Sequence, residues 1–398
     1  MRLESKGVTA PRGFKASGVA SGIKRGKPDL ALVFSEKLSV AAGVLTTNRM
    51  AAAPVLLARN ILRKGYAQAI VANSGNANCC TGPKGMQDAR AIREISADLL
   101  GIKPERVLVA STGVIGRFLP TRRIVKALPA LVNRLGSRGN SLAARAILTT
   151  DLVVKSVSII TKIQGRRVAI GGIAKGSGMI DPAMATMLCF LTTDAAVDRD
   201  SLRLALQEAV RGSFNAITVD GQMSTNDMTL ILANGLAGNG RLRPGENGSS
   251  SFCPALRQVT SELARRIVKD GEGATRLITV DVRGGSSYEE SYRVAKEIAN
   301  APLIKTMVAG SDPNWGRVAA TVGAAGVNIH PAKLTIGLSG ITLFQKGAPV
   351  SADRLKLKER FRKPEVSIEV DLGRGGVEAR VMTCDLTKEY VKINAKYS

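Results

Sequence analysis

Histidine is almost missing: the 398 residues contain one, His330. A zinc site built on two or three imidazoles is therefore excluded, and any Ser-His-Asp or Cys-His scheme would depend on that single residue. The five cysteines, Cys79, Cys80, Cys189, Cys253 and Cys384, are odd in number and form no C-x-x-C pair. That pattern fits incidental thiols in a reducing compartment better than a disulfide framework or a metal site. Aromatic residues are 4% of the chain, too few to supply the stacking platforms of single-strand nucleic-acid binders. No stretch approaches the roughly 18 uninterrupted apolar residues of a membrane-spanning helix. The N-terminal MRLESKGVTAPRGFK also lacks the apolar core of a secretory signal. The expectation is a cytoplasmic protein without membrane association.

Acidic residues are also scarce, 32 against 57 Lys plus Arg, for a formal net charge of +25. Such an excess makes nucleic acid the first partner to consider. Yet the basic residues are dispersed in pairs such as Arg122-Arg123, Arg166-Arg167 and Arg362-Lys363. There is no zinc-finger spacing, RNP-like aromatic box or basic heptad array. A solvated basic surface that attracts small anionic substrates is the simpler reading. A nucleic-acid-binding protein is the less favoured alternative, and it predicts steeply salt-dependent binding. Hydrophobic residues make up 44% of the chain, which excludes a disordered basic tail protein. The length suffices for two to three ordinary domains or one large layered domain with a sizeable core.

The apolar pattern reads as mixed α/β. Residues 69–72 and 107–110 read as buried strands followed by small-residue turns, NSGNAN and STGVIG. Residues 201–211 form a helix with Leu202, Ala205, Leu206, Ala209 and Val210 on one face and Asp200 as its N-cap. A second helix begins at Pro254, suited to the first helical position, and stops at Gly271. A strand follows over 277–282, which leaves Glu272 in a helix-to-strand turn, a common place for functional side chains. Residues 366–370 and 377–381 alternate around Gly373-Arg374-Gly375-Gly376 and read as a hairpin.

The glycine-rich segment Ala174-Lys175-Gly176-Ser177-Gly178-Met179 matches neither the P-loop spacing nor a dinucleotide fingerprint. By itself it reads as a turn between strands. It leads through Ile180-Asp181-Pro182-Ala183-Met184-Ala185-Thr186 into the apolar run Met187–Leu191. A hydroxyl residue at the head of a strand, after a loop that can strain its backbone, is what an N-terminal nucleophile requires. If the Ala185–Thr186 bond is cut, the new α-amine of Thr186 can take the proton from its own Oγ, and no histidine is needed. The pKa of such an amine, about 7.7–8.0, suits a general base. From spacing alone, Thr186 as an ordinary strand residue is the favoured reading.

Lys175-Gly-Ser-Gly-Met-Ile180 followed by Met184-Ala-Thr-Met-Leu188 resembles the cleavage-site motif of the ornithine acetyltransferase family, the arginine-biosynthesis glutamate N-acetyltransferases. Further blocks match in family order. They are Thr9–Phe14, Gly43–Asn48, Asn73–Asn78, Ser111–Gly116, Phe214–Gly221, Ser224–Asp227, Asp270–Thr275, Gly310–Arg317 and Ile393–Ala395. The resemblance implies an α/β fold layered α-β-β-α like the N-terminal-nucleophile hydrolases, with its own topology. It implies self-cleavage between Ala185 and Thr186 into chains 1–185 and 186–398, which stay together as two of each. The implied reaction is ping-pong: Thr186 takes acetyl from N2-acetylornithine, releases ornithine, and passes acetyl to glutamate. Some members also acetylate glutamate with acetyl-CoA; no bound cofactor or metal is implied.

The resemblance assigns the oxyanion hole to the Thr112 hydroxyl and the Gly113 N–H. Substrate contacts fall to Thr149, Lys175, Thr186, Glu272, Asn394 and Ser398. On that assignment Lys175 pairs with a substrate carboxylate and helps keep the Thr186 amine neutral, Glu272 holds the ornithine amine, and Asn394 and Ser398 close over the amino-acid end. The chain departs from the family pattern in two places. Asp181-Pro182-Ala183 stands where His-Pro-Asn is common, and the tail after Asn394 is one residue shorter. Thr150 is the neighbouring candidate for the role of Thr149. An N-terminal-nucleophile amidase or aminopeptidase, with water as acceptor, is the competing enzyme reading.

Overall fold

The computed structural model describes residues 3–181, 187–243 and 249–395. It divides into two compact units. The first comprises residues 1–215 and 222–267, the second residues 216–221 and 268–398.

The strands of the first unit are β1 (Leu3–Glu4), β2 (Phe14–Val19), β3 (Leu30–Leu45), β4 (Tyr66–Asn76), β5 (Val107–Val114), β6 (Lys155–Ile163), β7 (Arg166–Lys175), β8 (Leu188–Thr193) and β9 (Met228–Ala233). Its helices are α1 (Ala53–Lys64), α2 (Gly82–Leu100), α3 (Thr121–Asn133), α4 (Asn140–Ala146), α5 (Arg199–Arg211) and most of α6 (Ser249–Lys269). The strands form one sheet in the order β1-β6-β7-β8-β9-β3-β4-β5, with β2 also on β3. Strand β3 is the splice: its first part pairs with β4 and its last part with β9, with a register shift between Phe34 and Ser39.

The period-2 alternation of strands explains the layering. On β3, β4 and β5, Leu30, Leu32, Ala69, Val71, Val107 and Val109 pack under Ile92 of α2 and Ile124, Leu128 and Leu131 of α3. The intervening Ala31, Val33, Ile70, Ala72, Leu108 and Ala110 face a second core. That core also holds Ile173, Leu188, Phe190, Met228, Leu230 and Leu232 of β7–β9. On the far side of those strands a Cβ at Gly172 would lie 2.9 Å from Leu263 of α6. Helices, the two halves of the sheet joined through β3, and helix thus stack as α-β-β-α, the expected layering. Burial on both faces is why these strands read as continuous apolar runs.

In the second unit the strands are β10 (Leu277–Gly285), β11 (Thr335–Leu338), β12 (Ile341–Gln345), β13 (Ala348–Pro349), β14 (Glu365–Asp371) and β15 (Val377–Cys384). Its helices are α7 (Tyr288–Asn300), α8 (Pro302–Ala309), α9 (Trp315–Ala324), α10 (Arg354–Phe361) and α11 (Lys388–Asn394). The sheet order is β13-β12-β11-β14-β10-β15. Ile278, Val280 and Val282 face a core with Val294 and Ile298 of α7 and Val318 and Val322 of α9. The alternate residue Asp281 lies across from Arg380 on the exposed face and accepts its Nε–H at 2.5 Å.

Four local expectations are corrected. The segments 366–370 and 377–381 do not pair as a hairpin: β10 lies between them, parallel to β14 and antiparallel to β15. The glycine turn instead crosses the end of β10, where the Arg374 and Gly375 N–H groups both donate to the Gly284 carbonyl at 2.8 Å. The N-cap of α5 is Asp198, not Asp200; its carboxylate accepts from the Asp200 and Ser201 N–H groups. Helix α6 starts at Ser249, so Pro254 lies within it and not at its first position. Finally, NSGN and STGV are strand ends, not turns. Parallel β4 and β5 continue in register through Ser74–Thr112 and Gly75–Gly113.

Candidate active site

Thr112 and Gly113 stand at the carboxyl end of β5, where parallel strands commonly present functional groups. Gly113 has φ +133°, a conformation that side chains disfavour. A Cβ there would lie 2.3 Å from the Gly75 carbonyl carbon on β4. Only glycine fits, because the backbone of β4 occupies the space a side chain would need.

Lys175, the last residue of β7, is 3% exposed. Its ammonium donates to Thr112 Oγ1 at 3.3 Å. The two residues that sequence reasoning placed in one site, 63 positions apart, are thus in contact. Behind them lies Asp151, which has no role in the sequence analysis. Its carboxylate accepts from the Lys155 ammonium and the Gly176 N–H, both at 2.7 Å, and from the Thr149 N–H at 3.0 Å. Lys155 and Asp151 side chains are completely buried. Burial would raise this carboxyl, but the charges of Lys175 and Lys155 and the Gly176 N–H outweigh it and hold the pKa at about 2. Asp151 therefore ties Thr149 and Gly176 to one anionic anchor. Thr150 sits beside Thr149, and both are half-buried.

The apolar run after residue 186 enters β8, whose Leu188 pairs with Lys175. Just before it, the Met187 N–H donates to Asp227 Oδ1 at 2.8 Å. Burial pushes the Asp227 carboxyl well above the usual range, against the opposing effects of the Met187 N–H, the Lys175 charge and the Ser224 hydroxyl. A second cation also faces the cluster: Lys24, whose ammonium donates to the Leu148 carbonyl at 2.7 Å. What brings Lys24 and Asp151 to this cluster is distant in the chain, the Leu148 carbonyl for the one and the Gly176 N–H for the other. Lys155 could have been suspected from its i, i+4 spacing to Asp151. Asp227 ends the Ser224–Asp227 block without an assigned role.

The second unit gathers two more candidates. Glu272 is buried in the turn between α6 and β10, as expected. Its Oε2 accepts from the Asn394 side-chain amide at 2.8 Å. Their meeting depends on Gly273, at φ +68°, where a Cβ would lie 2.4 Å from the Tyr390 nitrogen. The Thr387 hydroxyl fastens α11 to the same turn by donating to the Gly273 carbonyl at 2.7 Å. Tyr390 donates to Asp220 at 3.2 Å. Burial together with Asp220 and Glu272 pushes its phenol pKa strongly up.

Ala185, Thr186 and Ser398 lie outside the described residues. His330 is exposed, in the turn before β11. Among the described residues no group of three or more His, Cys, Asp or Glu side chains could hold a metal ion. No helix among them is long and apolar enough to cross a membrane.

The ArgJ family profile matches residues 15–398. The arginine biosynthesis bifunctional protein ArgJ of Symbiobacterium thermophilum is 48% identical over 394 residues, 98% of each chain. That of Gloeobacter violaceus is 47% identical over 399 residues, again 98% of each. Among solved structures, the arginine biosynthesis bifunctional protein argJ of Bacillus halodurans is 37% identical with a TM-score of 0.50. It is covered over 97% of its own chain and 52% of this one. With its α/β fold and its cluster of Thr112, Gly113 and Lys175, the chain belongs to the ArgJ family of arginine-biosynthesis enzymes.

Proposed function

We propose that this enzyme moves an acetyl group from N2-acetylornithine to glutamate through an acetyl ester of Thr186, after cutting its own chain between Ala185 and Thr186. The observation that carries this reading is the contact between Lys175 and Thr112 beside Gly113, with Lys175 paired in register to Leu188 on the strand entered just after residue 186. Support for two chains, 1–185 and 186–398, comes from the B. halodurans chain. It corresponds to about half of this one, the extent of either product of such a cut. The cleaved chains are expected to remain associated, two of each.

In the first half-reaction the Thr186 Oγ attacks the acetyl carbonyl while its own α-amine takes the hydroxyl proton. The Thr112 hydroxyl and Gly113 N–H receive the oxyanion, a contribution typically worth about 3 kcal/mol per donor. The amine returns its proton to the departing ornithine nitrogen. In the second half-reaction the glutamate amine attacks the ester, yielding N-acetylglutamate and free Thr186. A positively charged Lys175 disfavours a second positive charge on the Thr186 amine, so the amine stays a competent base. Glu272, held by Asn394, is suited to accept the ornithine ammonium; Thr149 and Ser398 are the remaining proposed substrate contacts. Acetyl-CoA serves as an alternative acetyl donor if the pocket admits it, and no bound cofactor takes part.

Intact-mass measurement tests this reading. Two fragments are expected, the second starting at Thr186, and one gains an acetyl group on incubation with acetylornithine. Thr186→Ala should remain a single chain without transfer activity. Cleavage of that variant at the normal rate, or an uncut yet fully active wild type, overturns the scheme. Glutamate should accelerate ornithine release; release that is indifferent to glutamate indicates hydrolysis, the amidase reading, instead.

A further inference from the structure

Lys24, Lys27, Lys155 and Lys175 share their surroundings with Asp29, Asp151 and Asp227, and burial pushes Asp227 towards its neutral form. These lysines outnumber these carboxylates, and they are not equivalent. Lys155 is completely buried against Asp151. Lys175 is 3% exposed and directed at Thr112. Lys24 alone combines a half-buried position with a fixed approach to the cluster.

Its placement is built into the fold. Asp29, fully buried, accepts the N–H groups of Ser21 at 2.6 Å, Gly22 at 3.1 Å and Lys24 at 2.9 Å, which winds the loop between β2 and β3 around one carboxylate. The Lys24 stem then lies across Gly75, where a Cβ would come within 2.9 Å of its Cγ. Gly75 is the register partner of Gly113, so the stem passes over the strand neighbouring the proposed oxyanion hole. The ammonium ends at the Leu148 carbonyl, next to Thr149. A lysine so held, beside surplus positive charge, suits a carboxylate ligand.

We infer that Lys24 binds the α-carboxylate of the amino-acid substrate, the pairing that the family resemblance gave to Lys175, whose ammonium is instead directed at Thr112. This rests on the acyl-transfer reading above. The geometry supports it because the α-carboxylate is one bond from the carbon bearing the acetylated nitrogen, so a cation near the oxyanion hole is within its reach.

The test compares N2-acetylornithine with its α-carboxamide as acetyl donors to the full-length protein, measuring kcat and KM for each. Wild type should prefer the carboxylate. Lys24→Met should lower kcat/KM for the carboxylate by about 10- to 100-fold, chiefly through KM, the range expected for a lost charge-assisted hydrogen bond. The carboxamide should be nearly unaffected, so the preference collapses, and Lys24→Arg should restore most of it. Lys24→Gln keeps a donor for the Leu148 carbonyl and serves the same comparison if the methionine variant does not fold. A neutral variant that retains the wild-type preference overturns the inference, as does an equal loss with both substrates, which is the mark of a merely structural lysine. If wild type transfers acetyl from neither compound, the acyl-transfer reading fails first and takes this inference with it.

Discussion

At the scale of single residues, Asp151 is the most consequential group that the sequence analysis leaves without a role. Removing one partner of a buried ion pair commonly costs 3–5 kcal/mol, because the other charge is left without compensation. Asp151→Asn should therefore destabilise the protein by about that amount near neutral pH, as read by denaturant unfolding. The sign of its pH dependence follows from a folded pKa of about 2, below the ordinary carboxylate value. Such a group stabilises fully above its unfolded pKa, and the contribution fades as pH falls through about 2. The gap between wild type and Asp151→Asn should narrow in acid. A gap that is the same at neutral pH and near pH 2 would refute the ionic account.

Lys24 gives a second titration in the opposite range. Burial lowers its pKa to about 8; Asp29 and Asp151 raise it, and Lys27 and Lys175 lower it further. The preference for carboxylate over carboxamide should hold below that pH and decline as pH rises through about 8. Taking the ratio cancels the titration of the Thr186 amine, which both substrates need. Neither residue was legible in the sequence, for a physical reason. Lys24 meets Leu148 across 124 positions, and the Asp151 carboxylate bonds the Gly176 N–H 25 residues away. Thr112, Gly113 and Lys175 stood out as candidates only through the resemblance of whole motifs, and the contact of Lys175 with Thr112 had no signal in the sequence.

At the scale of elements, periodicity identified β4, β5 and α5 but misplaced what capping and pairing decide. The sequence Asp198-Arg-Asp200 offers two carboxylates for one helix start, and only the backbone conformation decides between them. Asp198 has extended backbone, φ −74° and ψ 162°, so its carboxylate can turn back on the first free N–H groups. Asp198→Ala should cost about 1 kcal/mol, while Asp200→Ala should cost clearly less. Equal shifts of the unfolding midpoint would contradict the assignment. The false hairpin has the same kind of origin. Alternating strands joined by glycines look alike whether they pair directly or leave room for β10, since both arrangements satisfy one buried face. What distinguishes them is the long-range register of Val280 with both Ile368 and Val381.

At the scale of the whole molecule, the surplus of positive charge gains a local meaning at the lysine cluster, although most basic residues lie elsewhere. Each unit has its own sheet, and the second has a core of its own. The α/β class and the first unit's layered character were readable from apolar runs and from the family motifs. The two-unit partition was not. The short piece 216–221 belongs with residues far along the chain, held by the pairing of Ile217 with Met382.

The buried ammonium groups also make the protein a record of its own folding. Lys155, Lys175 and Lys305 are at most 3% exposed, and Lys305 is bonded to Thr383 Oγ1 at 2.7 Å in the second unit. An amine-reactive ester should modify most other lysines of the native protein and spare these three until it unfolds, as peptide mass mapping would reveal. Lys24, half-exposed and more easily deprotonated, should react among the earliest. Rapid native-state modification of Lys155 or Lys305 would contradict the packing described. Because one protected lysine lies in the second unit and two in the first, a single labelling series under rising denaturant would time the opening of each unit separately.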